Sequence, residues 1–144
     1  MGASTRTPAQ FRDAVRSAFS THWTAAGEDL AIVGWDNLDF DPENQDAYVF
    51  FGLAHVTGTQ ASLGTGTDIQ IRRDVVAAAQ IFVRKNTGQA RADALAEILL
   101  DFFESAKIAG IRFNDQGLTE AGRSNQWFEI VVNCQISYDS FRNV

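Results

Sequence analysis

Apolar residues recur along this chain with two different periods. Between Thr7 and Gly27, Phe11, Val15, Ala18, Phe19 and Trp23 fall mostly three or four positions apart, the spacing that lines one face of an α-helix. The stretch Thr7-Pro8-Ala9-Gln10 supplies the start: threonine as cap, proline at the first helical position and glutamine to complete a capping box. A second stripe, Ala92, Leu95, Ile98, Leu99, Phe102 and Ala106, predicts another helix over residues 89–107.

Elsewhere the period is two. From Asp68 to Arg84, Ile69, Ile71, Val75, Ala77, Ala79, Ile81 and Val83 share one alternating set, broken only by Arg73, while Gln70, Arg72, Asp74, Gln80 and Arg84 share the other. This predicts a half-buried strand of roughly 50 Å, long enough that part of it must bend at a bulge or run past the domain body. Residues 126–139 alternate likewise, with Phe128, Ile130, Val132, Cys134, Ile136 and Tyr138 opposite Glu129, Asn133, Gln135, Ser137 and Asp139. Shorter runs at 30–35, 47–56 and 108–113 complete the strand set, and both alternating sets of 47–56 are apolar enough to predict cover on both faces. Polar segments at 36–46, 57–67 and 114–125 read as loops. The element order predicts an α+β domain spanning residues 1–144. It has a mostly antiparallel sheet of four to five strands, two long helices packed on it, and an extended strand and loop projection.

Composition narrows the function classes. The charged and apolar content fits a folded globular chain. No apolar run approaches the roughly 20 residues that span a bilayer, and MGASTRTPAQF lacks the apolar core of a secretory signal. The single cysteine, Cys134, rules out an internal disulfide and fits a reducing compartment. A net charge of −6 gives no global attraction for nucleic acid.

Each candidate for chemistry has a plainer structural reading. Lys85-Asn86-Thr87-Gly88 joins a strand to a helix as phosphate-binding loops do, but the lysine precedes the single glycine, so a capped turn is expected. The acidic run Asp36, Asp39, Asp41, Glu43, Asp46 lacks the glycine and spacing of a calcium loop. His22 and His55 form no zinc spacing, no nucleophile elbow is present, and Cys134 sits in an apolar set as a buried thiol would. No catalytic, metal or cofactor site is therefore expected. Two features point outward instead. Residues 57–67, TGTQASLGTGT, are more than a hairpin needs and are expected to form a mobile, projecting loop. Arg72 and Arg73 lie beside it. Thr57, Gly58, Gly64, Thr65, Gly66, Arg72 and Arg73 are the expected subunit or partner contacts.

The helix FRDAVRSAFSTHW, the stretch IVGWDNLDFDP, the strand QIRRDVVAAAQIFVRKNTG with its helix RADALAEILLDFFE, and the closing WFEIVVNCQISYDSF together resemble the tail terminator proteins of long-tailed bacteriophages, the lambda-type terminators. The resemblance covers most of the chain through element order and loose motifs. It implies a structural virion protein without catalytic residues, at the head-proximal end of the tail and assembled in the host bacterial cytoplasm. It implies a homo-oligomer, a hexameric ring, that caps the tail tube protein, ends polymerisation and meets a head-tail connector or neck protein. DNA would pass through its channel without specific binding, and no membrane is involved. A neck or head-completion protein is the alternative role; a small α+β enzyme or ligand-binding module is a more distant one.

Overall fold

The computed structural model describes residues 6–35, 46–60, 68–84, 89–124 and 127–143. Helix α1 (Pro8–Ala25) leads through a 3₁₀ turn (Leu30–Ile32) to strands β1 (Val33–Trp35), β2 (Ala47–Gln60) and β3 (Asp68–Arg84). Helix α2 (Gln89–Ser105) and strands β4 (Ile111–Ser124) and β5 (Trp127–Asn143) follow. The strands form one five-stranded sheet in the order β1-β2-β3-β5-β4. Only β1 pairs in parallel, with β2; the other three pairings are antiparallel. The α+β class with a mostly antiparallel sheet is thus as the periodicities predict.

Helix α1 begins where its caps require. Thr7 accepts from the Gln10 backbone N–H and its own N–H donates to the Gln10 side chain, closing the capping box, worth on the order of 1 kcal/mol. The helix ends at Gly27, whose φ of 88° suits a residue without Cβ. Between these ends Phe11, Val15, Phe19 and Trp23 are fully buried, each contributing about 1.5–3 kcal/mol of transfer free energy. They meet the sheet through rings: Phe11 stacks on Tyr138 at 4.2 Å and Phe19 on Phe51 at 4.6 Å. Helix α2 buries Ala92, Leu95, Ala96, Leu99, Phe102 and Phe103 against the same face. Along β3, Val75, Ala77, Ala79, Ile81 and Val83 are at most 1% exposed, while Arg72, Val76 and Gln80 face away from the helices and are open.

Several expectations change. The strand placed at 30–35 is only Val33–Trp35, because the Asp29 carboxylate accepts from the Ala31 N–H and turns the chain into a 3₁₀ turn first. Residues 114–124, read as loop, continue β4 along the sheet edge. Two register shifts, at Asn114/Gln116 and Glu120/Gly122, break the alternation, and an edge strand tolerates polar residues on its outer side. Residues 57–60, also read as loop, are strand: β2 runs on to Gln60 opposite Ile71. Cover on both faces of β2 holds only at its start, where Tyr48 stacks on Phe82 at 4.7 Å and meets Trp127; Ala54 and Val56 are exposed. Strand β3 stays unbroken, and the bulge lies opposite it, between His55 and Thr57.

The long strands extend past the packed core. The last core residues toward one end are Leu53 on β2, Val75 on β3 and Tyr138 on β5. Beyond them the sheet continues as a ribbon formed by 57–60, 68–74 and 139–143.

Candidate functional site

The charged end of the sheet

The chemistry of the molecule concentrates where that ribbon leaves the core. Cross-strand register puts Gly58, Arg73 and Tyr138 in one row and Thr59, Arg72 and Asp139 in the next. A third row holds Thr57, Asp74, Ser137 and Arg112. Side chains of neighbouring rows point to opposite faces, so the adjacent Arg72 and Arg73 serve different clusters.

On the helix-free face, Arg72 and Arg112 converge on one carboxylate. Asp139 is 3% exposed, and its Oδ1 accepts from Arg112 Nη2 at 3.2 Å and lies 3.5 Å from Arg72 Nε. Arg112 Nε also donates to Ser137 Oγ at 3.0 Å. A carboxylate this buried is held in place by such neighbours rather than by water.

On the helix-covered face, Arg12 of α1 reaches His55, with 3.4 Å between Nη2 and Nδ1, and His55 Nε2 lies 2.7 Å from the Tyr138 hydroxyl. A guanidinium only donates, so Nδ1 is the acceptor and the imidazole proton sits on Nε2, donated to Tyr138. Phe11 closes the cluster, stacked on Tyr138 and edge-on to His55. Arg73 donates to Ser140 Oγ at 2.9 Å. Among the described residues neither Arg12 nor Arg73 has a carboxylate at ion-pair distance. Burial, then the positive charges of Arg12 and Arg73, hold His55 below its ordinary 6.5.

A pH dependence follows. The unfolded chain takes up a proton near 6.5 before native His55 does, so stability is lost as pH falls below that value. Melting temperatures measured down the acid limb should fall more steeply in the parent than in His55→Gln, which lacks the titrating group. Equal slopes would show that His55 does not contribute.

Cys134 is a buried thiol that donates to the Asn114 carbonyl at 3.0 Å, and burial pushes its pKa up to about 11. The native protein should resist alkylation at neutral pH and react once unfolded. Because the unfolded thiol ionises first, this group's contribution to stability is lost as pH rises from 9 toward about 11. Rapid labelling of the folded protein would contradict the burial.

Of the expected contact residues, Thr57, Gly58, Arg72 and Arg73 lie together at this end of the sheet, the first two on β2 itself rather than in a loop. Gly64, Thr65 and Gly66 lie outside the described residues, as do the Lys85–Gly88 turn and the acidic run except Asp46. Asp46 sits 3.7 Å from Arg84. Arg12, Arg112 and Asp139 were not singled out by sequence reasoning, and His55 was weighed only as a zinc ligand and set aside. Asp139 fell in a polar alternating set that reads as solvated, and only the register shows two arginines from separate strands above it.

Other parts of the molecule gather less chemistry. No group of three or more metal-ligating side chains occurs among the described residues, and no described helix is long and apolar enough to cross a membrane. A cleft of about 720 Å³ between α1 and the end of α2 is lined largely by alanine and serine, with His22 and Lys107 among its lining residues.

No family model and no curated protein matches the chain. Among the solved structures similar to this chain is one of a protein without a functional name. It has a TM-score of 0.61 and 14% identity, over 88% of this chain and 94% of that one. At that identity the likeness establishes a shared fold.

Proposed function

We propose that this chain is a structural phage virion protein that assembles as a ring, caps the tail tube, ends tail polymerisation and presents the surface to which the head joins. The observation that carries this reading is the three-stranded ribbon that runs past the core with arginines on both its faces. A lone domain of this size gains little from ordering backbone beyond its core, since each ordered residue costs about 1–2 kcal/mol of backbone entropy. A neighbouring subunit that packs on the ribbon offsets that cost. The terminator-like order of helix, long strand, helix and closing strand supports the same reading. So does the net charge of −6, which leaves a DNA channel without a general grip on phosphate.

The test is the mass of the purified protein in solution, alone and with the tail tube protein of the same genome, together with tube lengths by electron microscopy. A ring that binds tube ends and stops growth is the expected result. A chain that stays monomeric and leaves tubes growing overturns the reading, and one that binds only a head-side connector moves it to the neck. An Arg72→Ala, Arg73→Ala double variant should fold, because Arg112 still holds Asp139, yet cap tubes poorly. Normal capping by the folded variant would remove these two residues from the interface.

A further inference from the structure

The positive charge of this acidic protein is unevenly placed. Arg6, Arg12, Arg72, Arg73 and Arg112 all lie around the ribbon end: the Arg6 N–H donates to the Asp139 carbonyl and the other four make the two clusters above. Arg12 and Arg73 bring two guanidiniums to one neutral imidazole with no carboxylate among the described residues to offset them. Val56, next to His55 in sequence and left out of register by the β2 bulge, is 61% exposed.

The opposite pattern lies on α2. Asp93, Glu97, Asp101 and Glu104 are all exposed. Spaced mostly four apart, they run down one side of the helix for about 16 Å. Only Asp101 has a basic partner among the described residues, His22 at 3.3 Å. Like charges at this spacing repel, and α2 places no lysine or arginine among them. They flank a groove of about 430 Å³ whose apolar lining includes Leu100 and Leu118, the latter 45% exposed. One end of the subunit thus carries an exposed valine next to His55 and its two arginines, and another surface carries exposed Leu118 and half-buried Leu100 among carboxylates. Both are costly in isolation, and they complement each other in charge and in polarity.

We infer that copies of this chain dock head to tail, the sheet end of one, on the face that carries Arg12 and Arg73 and beside Val56, seating in the carboxylate-flanked groove between α2 and Leu118 of the next. An apolar centre inside a charged rim is how specific interfaces are organised. A contact between two different patches leaves the docked pair with one free patch of each kind, so it propagates into a ring or a filament. This contact gives the ring reading its subunit interface and takes its biological setting from that reading, but it is measured without any tail protein.

The experiment is sedimentation of the purified chain over a range of concentration and salt, with two charge-reversed variants, Arg12→Glu with Arg73→Glu and Glu97→Arg with Glu104→Arg. The parent should associate, and added salt should weaken it. Each variant, folded by its melting curve, should need a roughly thirtyfold or higher concentration for half-assembly. An equal mixture of the two should assemble again, because each reversed patch then meets its complement. A monomeric parent, folded variants that assemble like the parent, or a mixture that stays apart would each overturn the contact. Where a reversed variant melts early, Val56→Asp at its exposed position replaces it, and normal association of that folded variant overturns the contact equally. Assemblies that depend on these residues but leave tail tubes uncapped would keep the contact and remove the terminator reading. Capping by protein indifferent to the reversals would do the opposite.

Discussion

Ile130→Asp is expected to abolish cooperative folding, while Glu129→Ala melts close to the parent. The two residues are neighbours on β5 and face opposite ways. Ile130 is fully buried opposite Ile81 in the layer beneath the helices. Replacing it removes about 3 kcal/mol of apolar burial and places a carboxylate where water cannot reach it, at several kcal/mol more. A domain of this kind has only about 5–15 kcal/mol in total, so most of its stability goes. Glu129 lies on the helix-free face, where it accepts from Gln80 at 3.3 Å. Losing one hydrogen bond at a solvent-accessible position costs about 1 kcal/mol or less. Circular dichroism melts of both variants decide the matter, and similar midpoints would mean that the strand has the opposite register.

The residues that made this fold legible were those whose period nothing interrupts. Phe11, Val15, Phe19 and Trp23 for α1, and Val75 to Val83 for β3, repeat cleanly because each element packs one face on the core along its length. β4 was legible only at its start. Its two bulges reset the alternation, Asp115 takes a φ of 27°, and its outer edge is free to be polar, so the stretch reads as a turn-rich loop. The site was legible as composition and not as geometry. Arg72 and Arg73 stand out as a basic pair on an overlong strand, and reading them as one patch ignores that neighbours on a strand face opposite sides. Arg72 is drawn into an intramolecular pair with Asp139, whereas Arg73 stays on the face of Arg12 and His55. His55 and Tyr138 are 83 positions apart and meet only through β3 between their strands. No local pattern encodes that meeting, because it depends on which strands pair and in which register.

Asp139 offers the sharpest test of that register. Its carboxylate is 3% exposed and takes guanidiniums from two strands, Arg72 of β3 and Arg112 of β4. Either single change to alanine should be mild, about 1 kcal/mol or less, because the other arginine remains and both arginine side chains are partly solvated. Removing both takes two cations from a buried carboxylate, and the loss should be on the order of 3 kcal/mol, well above the sum of the singles. Adding Asp139→Asn to the double variant replaces the charge with an amide that needs no cation, so the triple variant should recover most of that loss. This order of stabilities, with the triple variant above the double, is what separates a buried charge from two arginines that act by packing. Chemical denaturation of the four variants beside the parent gives it directly. A double variant equal to the sum of its singles, with no recovery on Asp139→Asn, would mean that Arg72 and Arg112 do not share this carboxylate and that β4 is not in the register that brings them together.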